Sequence, residues 1–234
     1  MRQTVTMTFF RYRGIQKVWG MMQMRQGKIN MKKQPGIVFI KMLGTGGNAG
    51  YSLRPDFSVY ALLCVWKDEA DADVFFNSSD QFRKFTAHST QRFTIFMRNI
   101  NTRGSWSGHS PFITEPEDPA SKFLCVLTRA TLKNHYIRSF WKRVPNVSKS
   151  QEGFPGLLFS KGVGEIPFFE QATFTIWNDV NKMKEFAYKS KFHTEAIKKT
   201  REVGGFKEEM FSRFQPYRII GDWDGLDREL AEAF

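Results

Sequence analysis

The pattern of apolar positions divides the chain into two halves with the same order of predicted elements. In the first half a strand over 4–10 precedes a helix with apolar residues at helical spacing: Ile15, Val18, Trp19 and Met22. The strands "GIVFIKMLG" and "FSVYALLCVW" follow, then a helix beginning near Asp68 and the strand "RFTIFMRNI". This half is therefore predicted to be βαββαβ.

The second half repeats this order. The strand "KFLCVLTRAT" precedes a helix with Ile137 and Trp141, and the strands "GLLFSKGVG" and "FEQATFTIW" follow. A helix is predicted near Asp179, and the last strand is "RFQPYRIIG", in which Pro216 predicts an edge or an interruption. Matching residues recur at nearly constant spacing, in the pairs Trp19 and Trp141, Gly36 and Gly156, Lys41 and Lys161, and Trp66 and Trp177.

A βαββαβ unit is typical of a ferredoxin-like fold, so the expected class is α+β with two such units in tandem. We expect two sheets packed face to face with helices outside. The predicted organisation is an N-terminal half at 1–98, a connector at 99–122 that is rich in Gly, Ser and Pro, and a C-terminal half at 123–234, forming one compact unit.

The two halves differ on one face of the strands that end at Trp66 and Trp177. One face is apolar in both halves, with Ala61, Leu63 and Val65 matching Ala172, Phe174 and Ile176. The other face changes from Tyr60, Leu62 and Cys64 to Gln171, Thr173 and Thr175. Buried polar groups need partners, so this face indicates water or a ligand, although neutral drift is equally compatible with it. The same alignment places His193 opposite Phe82.

Composition and charge restrict the class of protein. Aromatic residues make up 15% of the chain, with 24 Phe, which suits either a Phe-rich core or a pocket for a large flat ligand. A net charge of +12 favours an anionic partner: nucleic acid, a membrane surface, or a carboxylated cofactor or protein.

Cys64 and Cys125 lie in apolar runs and are expected to be buried, which favours a reducing cytoplasm. No stretch has the length of a signal peptide or a membrane span, so we expect any membrane contact to be peripheral.

Common catalytic and nucleotide-binding motifs are not apparent. "GTGGNAG" at 44–50 joins two strands rather than a strand and a helix, so it is interpreted as a hairpin loop and not as a dinucleotide fingerprint. The aromatic signature of RNA-recognition sheets is missing, and no Ser-His-Asp order, carboxylate pair or zinc spacing occurs.

A single histidine carries the candidate chemistry. His193 shares one face of a predicted basic helix at 189–205 with Ala196, Ile197 and Thr200. Such a histidine is commonly structural, but one histidine also suffices for haem, because the porphyrin supplies the other four ligands. Cations that could pair with haem propionates are Arg129, Lys133, Lys198, Arg201 and Arg213.

Long segments resemble the spheroidene monooxygenase family of bacterial carotenoid ketolases. They are "LTRATLK" (127–133), "GVGEIPFFEQATFTIW" (162–177), "FAYKSKFHTEAI" (186–197) and "FKEEMFSRF" (206–214), with further similarity in the first half. The resemblance covers nearly the whole chain.

The resemblance implies a haem-dependent monooxygenase in which two ferredoxin-like halves pack within one chain as a dimeric α/β barrel. It implies that haem b lies in the C-terminal half and that an acyclic carotenoid is oxidised at C-2 to a ketone, with dioxygen and electrons from a ferredoxin-type donor. We expect His193 to be the axial ligand, on the grounds of its helix face and the shortage of other histidines. Phe174 and Ile197 are expected in the pocket wall, and Gln171, Thr173 and Thr175 near the substrate. The distal residue and the oligomeric state stay open.

The expected location is cytoplasmic, with peripheral contact at an anionic membrane surface and no nucleic acid bound. Two alternatives differ in class: another haem enzyme of the same fold, similar to aldoxime dehydratase, and a basic nucleic-acid-binding protein. A haem absorption band distinguishes either haem enzyme from a nucleic-acid-binding protein, and dependence on dioxygen distinguishes an oxygenase from a dehydratase.

Overall fold

The computed structural model describes residues 2–47, 54–189, 195, 198–200 and 202–230. The strands are β1 (Thr4–Arg11), β2 (Ile37–Gly46), β3 (Pro55–Trp66), β4 (Gln91–Gly104), β5 (Leu124–Leu132), β6 (Leu157–Gly164), β7 (Glu170–Trp177) and β8 (Phe206–Gly221). The helices with described bounds are α1 (Gln16–Met31), α2 (Glu69–Ser78), α3 (Asp80–His88), α4 (Ile137–Gln151), α5 (Val180–Lys189) and α6 (Leu226–Leu230). The eight strands predicted from the sequence are therefore all present.

The strands form one closed antiparallel barrel in the order β1-β3-β2-β6-β7-β5-β8-β4. Within it the first half contributes the order β4-β1-β3-β2 and the second half the order β8-β5-β7-β6. The prediction of two separate sheets packed face to face is wrong in this respect. The edge strands of the two halves pair with each other instead and close the barrel.

The two seams between the halves are unequal. β4 and β8 pair from Phe93 opposite Gly221 to Gly104 opposite Met210. Among the described residues, β2 and β6 pair through Gly44 opposite Gly164 and Thr45 opposite Val163, near the ends of both strands. The long seam also extends β4 to Gly104, into the stretch predicted to be connector. Pro216 lies at a register shift of the long seam, in agreement with the predicted interruption.

Strand alternation separates an inner core from two outer ones. Inside the barrel both halves contribute, and the ring of Phe9 lies 5.0 Å from that of Phe159 and 6.0 Å from that of Phe174. A second cluster lies between the first-half strands and α1–α3, and a third between the second-half strands and α5. Many of the Phe side chains are therefore ordinary core residues. Both cysteines are buried, as predicted.

Helix α1 packs on the sheet through small and polar residues. Gly20, Gln23 and Gly27 are buried with Met31. A Cβ atom on Gly20 would lie 2.7 Å from the Tyr12 ring, so glycine permits a close approach of helix and sheet. Of the apolar residues that predict this helix, Trp19 packs against the first-half core, whereas Ile15 is 78% and Met22 61% exposed.

Candidate functional site

The outer face of the second-half sheet carries the candidate site. Alternation places Leu127 of β5 inside the barrel, and Val126, Thr128 and Ala130 on the outer face. On β7 the outer residues are Gln171, Thr173 and Thr175, which pair with Ala130, Thr128 and Val126. The predicted polar residues therefore share one face with the outer side of β5.

Strand pairing aligns this face with its first-half counterpart. Thr4 lies opposite Trp66 and Leu124 lies opposite Trp177, so the two halves can be matched residue by residue. Phe10, Tyr60 and Leu62 then correspond to Ala130, Gln171 and Thr173. In the first half Phe10 lies 5.2 Å from Phe85 and 6.5 Å from Phe82, ring to ring, and these aromatics fill the space beneath α3. The second half carries smaller side chains at the corresponding strand positions.

The same alignment matches Thr8 of β1 with Thr128 of β5. Thr8 is 0% exposed and its hydroxyl lies 3.0 Å from that of Thr94. Thr128 is exposed, although it belongs to a central strand with β7 and β8 on either side. The second half is therefore open to solvent at a place that the first half covers.

The predicted ligand His193 lies outside the described residues, as do Ile197 and Arg201. The described residues on either side are held against this half of the barrel. Met183 and Phe186 of α5 belong to its outer core, and the Thr200 hydroxyl lies 2.7 Å from that of Tyr136, just before α4. In the first half Phe82, to which the alignment matches His193, packs directly over Phe10.

The other three histidines have different surroundings. His88 stacks on Trp19 with ring centroids 4.0 Å apart, and its Nδ1 lies 2.6 Å from Gln16 Oε1. His109 and His135 are exposed. Each of these placements has an ordinary structural explanation.

The candidate propionate partners separate into three groups. Arg129 is 2% exposed, faces the barrel interior and forms an ion pair with Glu208, with Glu170 at 3.6 Å. Lys133 and Lys198 are exposed, and Lys133 lies near Gly204 at the end of β5. Arg213 lies on the outer face opposite Val126, and its buried Nε has no hydrogen-bond partner within the described part of the chain. Of the described cations, Arg213 is the one whose placement best suits a ligand on this face.

Two further predicted residues are engaged elsewhere. Phe174 is 0% exposed and faces the barrel interior, so it is not part of the outer face. The Thr175 hydroxyl accepts a hydrogen bond from the Trp177 indole N–H at 2.9 Å. Thr173 is buried and Gln171 is half-buried. Thr128 was missed from the sequence, although its alignment with Thr8 could have indicated it.

A network of charged side chains surrounds Trp106. Burial raises the pKa of Glu208, but hydrogen bonds from Gly108 N–H, the Ser105 hydroxyl, Ser107 N–H and Arg129 outweigh it and lower that pKa to about 2. Burial also raises the pKa of Glu165, but contacts with Lys41, Trp106 and Lys28 outweigh this effect. The pKa of Glu165 is therefore lowered overall. Because these carboxylates are held by fixed donors, they stabilise the structure rather than exchange protons near neutral pH.

Neither a metal cluster nor a membrane-spanning helix is found in the described ranges. No three His, Cys, Asp or Glu side chains come together there in an arrangement that could hold a metal ion. No helix there combines the length and the apolar character needed to cross a bilayer.

Comparison with known proteins gives close relatives by sequence and more distant ones by structure. No family model matches the chain. Spheroidene monooxygenase of Cereibacter sphaeroides is 38% identical over 229 residues, which are 96% of this chain and 70% of that protein. Spheroidene monooxygenase of Rhodobacter capsulatus is 33% identical over 95% of this chain and 93% of that protein. A crystal structure of aldoxime dehydratase has a TM-score of 0.63 over 92% of this chain and 82% of that one, at 12% identity, which is a likeness of fold.

Proposed function

The chain belongs to the spheroidene monooxygenase family and is an oxidoreductase, and from this premise we propose that it is a haem-dependent carotenoid ketolase. The proposed substrate is an acyclic carotenoid similar to spheroidene, oxidised at C-2 to a ketone. The proposed co-reactants are dioxygen and a ferredoxin-type electron donor. The proposed cofactor is haem b on the outer face of the second half.

One observation carries the choice of site. The second half is exposed at Thr128, where the first half buries Thr8 completely. Ala130 and Thr173 replace Phe10 and Leu62 at neighbouring positions, so the strands offer less side-chain volume there. A flat ligand with an apolar body suits a face on which large aromatic side chains have been exchanged for small ones.

His193 is the proposed axial ligand. A porphyrin supplies four nitrogen ligands to its iron, so a single histidine completes the attachment. The surroundings of His88, His109 and His135 support none of them in this role, and the sequence alignment of His193 with Phe82 supports the choice of His193.

The described residues fit a haem with carboxylates at its edge. Arg213 offers a guanidinium with a buried Nε that lacks a partner among described atoms, and such a group pairs well with carboxylate. Lys133 lies about 23 Å along β5 from Val126, so it is far from the propionate edge that Arg213 would hold. Arg129 is excluded from this role by its position inside the barrel.

When bound, the cofactor supplies the activation of dioxygen. Conversion of a CH₂ group to a ketone then requires two successive hydroxylations, in each of which one oxygen atom of dioxygen enters the substrate and the other leaves as water with two electrons from the donor and two protons. The resulting geminal diol loses water. The contribution of this chain is to bind an apolar polyene beside the cofactor and to exclude water, which apolar contacts such as Val126 and Phe211 favour.

We also infer that the chain is a tandem duplication of ferredoxin-like halves, packed as a dimeric α/β barrel. The recurrence of one strand order in both halves supports this inference. The positions of Trp66 and Trp177 opposite the first residues of β1 and β5 support it further.

Haem reconstitution tests the proposal. Purified chain titrated with haem is expected to give a Soret band that shifts on reduction under CO. His193→Ala is expected to lose or shift this band, whereas His135→Ala and His109→Ala leave it unchanged. Conversion of spheroidene by the loaded wild type is expected to require dioxygen and reduced ferredoxin. Identical haem spectra for His193→Ala and wild type would refute the ligand assignment, and ketone formation without dioxygen would refute the oxygenase.

A further inference from the structure

Helix α1 exposes a stripe of large apolar side chains, although its Met31 is buried and its Trp19 and Met24 pack against the first-half core. Ile15, Val18, Met22 and Ile29 are 78%, 47%, 61% and 46% exposed, and their spacing of three, four and seven residues places them on one face. The opposite face, with Gly20, Gln23 and Gly27, lies against the sheet. An ordinary surface helix has the reverse arrangement, so the exposed stripe needs a separate explanation.

The charges around this stripe have one sign. Helix α1 contains no acidic residue. Lys17, Arg25 and Lys32 are exposed on or beside the stripe, and Lys33 follows it. A helix that combines an apolar face with flanking cations is typical of binding at a membrane interface.

The exposed surface continues onto the turn between β6 and β7. Lys28 Nζ lies 3.3 Å from Glu165 Oε1, which joins the helix to this turn. Ile29 and Ile166 line the same cleft of about 570 Å³, which is bordered by α1, β2 and the turn between β6 and β7. Ile166 is 52% exposed, and Phe168 and Phe169 are also exposed. We call the surface formed by Ile15, Val18, Met21, Met22, Ile29, Ile166 and the cations of α1 the α1 surface.

We propose that the α1 surface binds an anionic lipid bilayer, with α1 parallel to the membrane plane and its apolar stripe inserted among the headgroups. The stripe from Ile15 to Ile29 is about 21 Å long, which gives an extended contact rather than a single anchor. The flanking cations complement acidic headgroups. This inference goes beyond the proposed function and does not depend on haem.

Two other occupants fit less well. A second copy of the chain in a two-fold dimer would pack one α1 against another, and because α1 carries cations and no acidic residue, like charges would repel. Single-stranded RNA is bound through stacking on aromatic rings, but the stripe on α1 is aliphatic. Both occupants are outcomes of the experiment that follows.

Vesicle binding provides the test. The wild-type chain is sedimented with phosphatidylcholine vesicles, alone or with about 30 mol % phosphatidylglycerol. Binding is expected only with the anionic lipid and is expected to weaken sharply from about 0.05 to 0.5 M salt. Met22→Glu/Ile29→Glu should reduce it at least about tenfold, because apolar insertion is lost and charge is reversed. The control Val74→Glu/Ile113→Glu makes the same change at exposed positions outside the α1 surface and should lose much less.

A probe on the helix tests the geometry independently. Both native cysteines are buried, and burial raises the pKa of each thiol well above its usual value, so an engineered exposed cysteine can be labelled selectively. A polarity-sensitive dye on Met22→Cys should shift to the blue with anionic vesicles, whereas the same dye on Val74→Cys should not.

Three results would overturn the proposal: no binding of the wild type to anionic vesicles, equal losses in the two double variants, or RNA binding through α1 without vesicle binding. A concentration-dependent dimer in light scattering that Met22→Glu/Ile29→Glu abolishes would assign the surface to a second copy instead. None of these results depends on the haem spectrum, so failure here is distinguishable from failure of the proposed function.

Discussion

Thr8 and Thr128 lie at equivalent positions of β1 and β5, yet Thr8 is completely buried and Thr128 is exposed. Equivalent residues of repeated units are normally buried to the same extent. The difference in exposure therefore marks a face that the two halves use differently. The first half uses this face for a core beneath helices, and we assign the second-half face to a ligand.

Filling the open face should exclude the ligand. Thr128→Phe places a large ring on the outer side of β5, where Thr128 is exposed, so the free energy of unfolding should change by less than about 1 kcal/mol. The dissociation constant of haem, measured by absorption titration, should rise at least about tenfold. Thr128→Ser is the matched control and should bind haem as the wild type does. Equal haem affinity in the two variants would show that the ligand lies elsewhere.

Removing the guanidinium of Arg213 should weaken haem binding. A charge-assisted hydrogen bond contributes about 1.5–3 kcal/mol, so Arg213→Gln should raise the dissociation constant about tenfold or more. Arg218→Gln is a matched control on the same strand: its buried Nε likewise lacks a described partner, but it lies on the first-half face over Phe96. A similar loss in both variants, or in neither, would contradict the role of Arg213.

Acid should destabilise the fold through Glu208. Its pKa is lowered to about 2 in the folded chain, below the value near 4.3 of an unfolded chain. A lowered pKa stabilises the folded state above the unfolded value, and that contribution is lost progressively as the pH falls from about 4.5 to about 2. Denaturant unfolding of Glu208→Gln should therefore show a weaker pH dependence over this range than the wild type.

The exposed neighbour Glu209 provides the control for this prediction. Glu209→Gln should retain the wild-type slope of stability against pH. If Glu208→Gln retains it too, the donors around Glu208 do not lower its pKa as described.

Gly20→Ala should destabilise the chain, although replacing Gly by Ala usually stabilises a helix. Helix propensity alone favours Ala over Gly by about 1 kcal/mol. At Gly20 the new Cβ would lie 2.7 Å from Tyr12 Cδ2 and 3.0 Å from Tyr60 Cε2, so overpacking should dominate, with a net loss of about 1–3 kcal/mol. Thermal or urea unfolding measures the difference.

Gly27→Ala is the comparison for Gly20→Ala. Its nearest neighbours are at 3.2–3.3 Å and include the flexible side chain of Gln23, so its net effect should be small. Equal stabilisation by both substitutions would show that α1 does not need glycine to approach the sheet.

Several features of the candidate site followed from the sequence, and others did not. Gln171, Thr173 and Thr175 were predicted to share a polar face, and the pairing of β7 with β5 confirms their common side of the sheet. Arg129 and Phe174 were assigned to the ligand pocket, but both face the barrel interior. Composition identifies a cation or an aromatic ring as a candidate, but the side of the sheet on which that residue lies depends on strand register. The assignment of His193 stays a prediction.

The sequence by itself determined the strands, their repeated order and the matching of Trp66 with Trp177, because alternation and repetition are local properties of the chain. Only the tertiary structure decided that the two sheets join as one barrel, since the pairing of β4 with β8 links residues more than 100 positions apart in sequence. It also decided the orientation of α1. Apolar spacing groups Ile15 and Met22 on one face, but the aromatic rings of Tyr12, Tyr60 and Phe85 occupy the space beneath the helix, so the face with Gly20 and Gly27 approaches the sheet.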